Sequence, residues 1–496
     1  MDTTSQSRWR RRSAVRSGLL TGMAQVVLAL AAAGAGALLA HKFGRSAETD
    51  GFLSAYGVYT VLVFAAQAFR MVVVPDLTRA IEGGHLGGEI RAYALAFLAL
   101  ALPVSLLVGI FSGPIGDLIT GSLPAPAPHV ASRSVAILVA AAFGQLLAAL
   151  GASALAALGS YGTAAAGFAL GGISGLVVFA ALSNTVGIVA LAWGLAVNAL
   201  IAVCVPLVAL LRKGALGGAW PDPLQLRPRL GRLAQGAAIP LALQGCYLLA
   251  LRFSAYLGVG RVSSFSYAYL AASTLVGATA FSLGLISSAP LTRRGIDAVA
   301  AGQHVVHAAW VSLVIVGAMA GVFALVGGRI VGGVLGNAYG GEVGRELGHL
   351  VVYLALWMLA WVGFAVAFPL VFVAEKRWTL IPLAVAGFLL CIPVGLGLRS
   401  LWGLPGLAIA LGVSTVLIAG GLLATLSLRT LAIAAVGLAR LAVAVGASTA
   451  IAFGGLSLLL SPLLAAILGT VVYGFLMYAL RSLGMSAAWT YVRGLH

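Results

Sequence analysis

Carboxylates are scarce in this chain. Twelve Asp and Glu stand against 29 Lys and Arg in 496 residues, for a formal charge of +17. All twelve fall in predicted loops or at helix ends, among them Asp50, Asp76, Glu82, Glu89, Asp117, Asp222, Asp297, Glu342, Glu346 and Glu375. No acid stands in mid-helix to carry a proton or sodium ion, which argues against coupling through a buried carboxylate. Cysteine is nearly absent too. Cys204, Cys246 and Cys391 sit singly in predicted helices, so neither a disulfide framework nor a zinc site is expected. His304 and His307, three apart, lack an acidic or Cys neighbour and read as interfacial rather than metal-binding. There is no phosphate-binding loop, dinucleotide fingerprint or nucleophile elbow. The chain thus reads as a non-enzyme without metal or cofactor, and it carries no nucleotide-binding domain for an ATP-driven pump.

What is abundant is apolar surface. Hydrophobic residues make up 61%, charged ones 8%, and the mean hydropathy is +1.08. A helix needs roughly 20 apolar residues to cross a bilayer core. Fourteen such stretches occur, near 17–41, 51–74, 92–111, 131–158, 164–183, 185–211, 236–258, 264–288, 303–327, 346–373, 379–399, 404–428, 434–456 and 460–480. In lipid the backbone must satisfy its own hydrogen bonds, and the period is helical, so an all-α polytopic membrane protein is expected rather than a β-barrel.

The positive charge follows topology, not nucleic acid. With the N-terminus cytoplasmic and the stretches alternating sides, most Lys and Arg fall on the inner side, including Arg8, Arg10, Arg11, Arg12, Arg16, Arg212, Lys213, Arg227, Arg229 and Arg232. This positive-inside bias places both termini in the cytoplasm of a multi-pass cell-membrane protein, with anionic lipids as partners. The apolar run after the basic tail is longer than a signal-peptide core and reads as the first span.

A segment occurs twice. Phe52 to Leu77-Thr78-Arg79 recurs about 213 residues later as Phe265 to Leu291-Thr292-Arg293, with Tyr56 matched by Tyr269. Two related halves are the expected architecture of a transporter that rocks one half against the other. The organisation read from this is a basic tail 1–16, a first lobe 17–211 with six helices, a cytoplasmic loop 212–235, a second lobe 236–428 with six helices, and 429–496 with two more helices and a tail.

Polar side chains at bilayer depth are the first functional candidates. The second stretch carries Tyr56, Tyr59 or Thr60, Gln67 and Arg70 on one helical face; Arg70, near its inner end, either faces a cavity or snorkels to the interface. The seventh carries Gln244 and Arg252, with Arg252 either an anion contact or a structural pairing; the eighth carries Tyr269 and Ser273; the first carries Gln25. Helix–helix hydrogen bonding would also explain the hydroxyls. Gln67, Arg70, Gln244 and Arg252 point instead to a wet or ligand-filled space between the halves.

The stretch Gly44-Arg45-Ser46-Ala47-Glu48-Thr49-Asp50-Gly51-Phe52 to Pro75-Asp76-Leu77-Thr78-Arg79 resembles the start of MurJ (MviN)-like lipid flippases of the multidrug/oligosaccharidyl-lipid/polysaccharide (MOP) exporter superfamily. Ser266-Tyr267-Ala268 to Pro290-Leu291-Thr292-Arg293 resembles that family's eighth helix, and Ala374-Glu375-Lys376-Arg377 its basic turn after helix 10. The resemblance implies two six-helix lobes plus two C-terminal helices. It also implies flipping of a polyprenyl-diphosphate-linked cell-wall glycan precursor, such as lipid II, to the outer leaflet by alternating access, with cell-wall synthesis proteins as further partners. Of the family's charged cavity positions only Asp50 carries over; the arginines of its first and eighth helices have no counterpart between Arg16 and Lys42 or from Ser264 to Ser288. A drug or metabolite exporter of the same superfamily and a non-transporting scaffold in cell-wall assembly stay open beside the flippase.

Overall fold

The computed structural model describes residues 23–24, 26–218, 226–276, 297–373 and 377–483, and these are almost entirely helical. In chain order the helices are α1 (Val26–Phe43), α2 (Ala47–Glu82), α3 (Leu86–Ile110), α4 (Ser112–Thr120), α5 (Pro126–Ala157), α6 (Tyr161–Leu182), α7 (Ala190–Arg212) and α8 (Leu226–Ser254). They continue with α9 (261–276), α10 (Ala298–Leu335), α11 (Gly341–Tyr353), α12 (Ala355–Val373), α13 (Leu380–Leu426), α14 (Leu428–Thr449) and α15 (Pro462–Ala479). Where they are described, the fourteen apolar stretches lie largely on helix, with non-helical residues at or near several of their ends and at 354. Ten helices among the described residues are long and apolar enough to cross a membrane, or eleven if α11 and α12, bent by 40°, form one span. The chain is a multi-pass membrane protein.

Local chemistry sets the helix starts. Ser46 accepts the Thr49 N–H ahead of α2, Asp297 that of Ala300 ahead of α10, and Ser427 that of Thr430 ahead of α14. Each cap satisfies one of the N–H groups that a helix leaves open. Pro126 and Pro462 open α5 and α15, where a missing N–H costs nothing. Within the spans, hydroxyls bond back to the carbonyl four residues earlier, as Ser54 does to Asp50, Thr60 to Tyr56 and Thr415 to Leu411. A polar side chain in an apolar medium is thereby satisfied inside its own helix.

Three boundaries differ from the sequence reading. The second stretch, read to end near 74, is part of a longer helix: α2 runs through Pro75 to Glu82. The single stretch 346–373 is two helices, because the chain bends between Tyr353 and Ala355. The stretches 379–399 and 404–428 meet at Gly403, whose φ of 61° is open to glycine and strained for other residues. The end of the second repeat copy, Pro290 to Arg293, and the basic turn at Ala374 to Lys376 lie outside the described residues.

The chain divides into two compact units, Met1–Gln244 and Gly245–His496, and the division falls inside α8. In the first unit α5 packs on α2, α3, α4 and α7, and α6 pairs with α7. Gly51 makes the α2–α5 approach possible, since a Cβ there would stand 2.3 Å from the Ala127 carbonyl oxygen. Lys42, ending α1, donates to Ser183 at 2.6 Å and to Asn184. In the second unit α10 packs on α11, α12, α14 and α15, and α12 packs on α13.

Candidate functional site

In the first unit Asp50 is fully buried in the first turn of α2, where the helix dipole favours an anion. One turn on, Tyr56 stacks on Tyr59 with ring centroids 5.5 Å apart, and Phe52 lies 6.2 Å from Tyr56. Tyr59 is buried and Tyr56 half-buried. Gln67 and Arg70 continue the same helix, but their side chains lie outside the described residues, as does Gln25 altogether. Gln244, the last residue of this unit, is fully buried.

In the second unit the expected hydroxyls make hydrogen bonds within and between the helices. Ser273 donates to the Leu270 carbonyl at 3.0 Å, and Ser266 shares a 3.1 Å hydrogen bond with the Tyr247 hydroxyl. Tyr269 lies flat on Tyr247 at 3.8 Å between centroids and meets Trp357 at 4.8 Å. The ladder continues along α12 from Trp357 to Trp361, Phe364 and Phe368 at 5.3, 5.5 and 5.1 Å. It ties α8, α9 and α12 together through rings rather than charges. Arg252 is elsewhere. It lies in the last turn of α8, its guanidinium 4.8 Å over the ring of Tyr256, and it does not join the tyrosine ladder.

Sequence reasoning missed a charge network in the first unit. Arg229 at the start of α8 grips Glu89 of α3 with two hydrogen bonds of 2.7 and 3.2 Å. Their side chains are only 7% and 10% exposed. Asp76 of α2 accepts from Arg232 at 2.7 Å, from Arg79 at 2.5 Å and from the Tyr93 hydroxyl. Arg229 lies 5.6 Å over the Tyr93 ring, joining the two clusters. Arg91 donates to the carbonyls of Gly87 and Gly218. The signal was present in the basic residues three apart, Arg229 and Arg232, on one turn of helix. Their partners lie about 140 and 156 positions away, a pairing no local pattern reveals.

Two thiols counted as single in the sequence meet in space. Cys246 of α8 and Cys391 of α13 are both buried, and their thiols are near neighbours. In a Cys204→Ser background, one equivalent of mercury(II) is expected to protect both thiols together from maleimide labelling. With Cys391→Ser added, that paired protection disappears. Two independently labelled thiols in the parent protein would contradict the contact. Among the described residues no three His, Cys, Asp or Glu side chains gather as a metal site requires. A groove of about 480 Å³ between α10 and α14 is lined by His307, Gln303 and Arg440 among aliphatic side chains.

No protein-family model matches the sequence. A search of curated proteins likewise finds no match. Solved structures do match. The lipid II flippase MurJ in an inward closed conformation superposes with a TM-score of 0.72 over 94% of this chain and 99% of its own, at 15% identity. An inward-facing multidrug resistance MATE family transporter of the MOP superfamily gives a TM-score of 0.61 at 14% identity, covering 82% of this chain and 95% of its own. The eukaryotic MATE transporter AtDTX14 gives 0.58 at 15% identity, covering 86% and 100%. The protein has the MurJ-like all-α fold that the transporters of the MOP superfamily share.

Proposed function

We propose that this chain is a lipid flippase that carries a polyprenyl-diphosphate-linked cell-wall glycan, of the lipid II type, across the cell membrane. The observation that supports this reading is the extent of the likeness to MurJ, which takes in 94% of the chain where the two MATE structures take in 82% and 86%. Both termini are cytoplasmic, and the work is alternating exposure of a polar site, with populations shifted by ligand or ion binding. The candidate cargo contacts are the α2 residues Tyr56, Tyr59, Gln67 and Arg70 with the buried Asp50, and Gln244, Arg252, Tyr269, Ser273 and Gln25 complete the set. Partners are the lipid-linked glycan, anionic lipids and cell-wall synthesis proteins.

In proteoliposomes holding a fluorescent polyprenyl-diphosphate disaccharide, the protein is expected to speed loss of head-group protection at least ten-fold over empty vesicles. An unchanged rate would reject the flippase. The MATE likeness favours a second reading, export of drugs or metabolites. Under that reading the same vesicles would show pH-driven movement of an organic cation and none of the lipid.

A further inference from the structure

Two arginines flank one tyrosine at the α8–α9 end of the second unit. Tyr256 follows α8 directly and is 49% exposed. The guanidinium of Arg252 lies 4.8 Å from its ring centroid and that of Arg399, from α13, 5.2 Å. Arg399 also lies 5.7 Å over Phe253. Stacking on a ring occupies the face of a guanidinium and leaves its N–H edge open. Nη1 of Arg252 is buried and has no hydrogen-bond partner among the described residues. Among the described residues neither arginine forms an ion pair with a carboxylate: the pairs found join Arg79 and Arg232 to Asp76, Arg229 to Glu89, Arg261 to Glu346 and Arg345 to Glu342.

The surroundings say which anion fits. Arg252 stands in the last turn of α8 and Arg399 four residues before the break at Gly403, so both lie where spanning helices end. Beside them Trp402 is 56% and Leu401 70% exposed. Exposed aromatic and aliphatic side chains next to cations are the signature of the head-group layer, with Trp and Tyr at the interface. A phosphate oxygen pair matches the edge of a guanidinium, and a lipid supplies both that phosphate and the acyl chains to cover the apolar neighbours.

We propose that Arg252 and Arg399, held by Tyr256, form a binding site for the phosphate of a membrane lipid. The site does not depend on the flippase reading, because any phosphate-bearing membrane lipid satisfies its chemistry. The resident phospholipid and a polyprenyl-diphosphate cargo share that group.

The test is native mass spectrometry of the purified full chain, released from micelles containing phosphatidylglycerol, undecaprenyl diphosphate or a phosphate-free diacylglycerol. Wild-type protein is expected to retain the two phosphate lipids about ten-fold more than the diacylglycerol. Arg399→Gln is expected to lose most of that preference and Arg252→Gln/Arg399→Gln all of it. Arg345→Gln, a more exposed arginine, keeps it. Whichever phosphate lipid is retained better names the source. Thermal unfolding in detergent checks that each variant folds, and Arg399→Gln alone decides the matter if Arg252→Gln does not. Equal retention by the double variant would overturn the site, and displacement of phosphatidylglycerol by equimolar inorganic phosphate would overturn its assignment to lipid.

Discussion

Arg229→Ala is expected to destabilise the protein by about 3–5 kcal/mol, the usual cost of leaving one charge of a buried pair without its partner. Glu89 and Arg229 are only 10% and 7% exposed, so solvent screens them little. Their two hydrogen bonds of 2.7 and 3.2 Å are lost together. Unfolding in detergent, followed by thiol-dye reaction at buried Cys246 and Cys391, reads the loss. Removing both charges as Glu89→Leu/Arg229→Met should restore much of it, since a buried ion pair seldom outperforms well-packed apolar side chains. Arg79→Ala, at a position 73% exposed, should change stability little although it faces the same Asp76 cluster. If Arg229→Ala and Arg79→Ala behave alike, the buried pair is not what holds the start of α8 to α2 and α3.

Gly51→Ala is expected to destabilise by about 3 kcal/mol, at the upper end of overpacking. Its new Cβ would meet the oxygen, Cα and carbonyl carbon of Ala127 at 2.3, 2.7 and 2.8 Å. These are backbone atoms, which cannot swing aside, so α2 must lift from α5. The comparison is Gly397→Ala in α13, where a Cβ would meet nothing within 4 Å. There the better helix propensity of alanine should stabilise by about 0.5–1 kcal/mol. Opposite signs at two helical glycines are the measurable outcome, by denaturation in the same detergent. A stabilising Gly51→Ala would mean that the α2–α5 approach is looser than described.

The helices were legible in the sequence because lipid imposes a length and an apolar composition on every span. Their breaks were less so. Proline at 75 looked like an exit, yet the helix continues through it to Glu82. The join at Gly403 appeared as a gap between two stretches, and its positive φ could not be read from composition. Among the site residues, the spacing of three sets Tyr56 beside Tyr59, and their rings stack at 5.5 Å. Periodicity along one helix says nothing of what faces it. Arg252 was therefore visible as a cation, and Arg399 was not visible as sharing Tyr256 with it. The same limit hid the partners of Glu89 and Asp76, which looked like solvated loop acids and are in fact 10% exposed.

The ring ladder of the second unit gives the protein an optical property. Trp310, Trp357 and Trp361 are buried there, while Trp193, in the first unit, is 48% exposed. Emission from a shielded indole is bluer than emission from one at the surface, and among the described tryptophans the shielded indoles are those of α10 and α12. Trp357 and Trp361 stand 5.3 Å apart with Tyr269 alongside, close enough for excitation to pass from the phenol ring to the indoles. A change in how α9 sits on α12 would appear as altered tyrosine-to-tryptophan transfer, with no label attached. The aromatic packing that holds three helices together is also a native spectroscopic ruler for their movement.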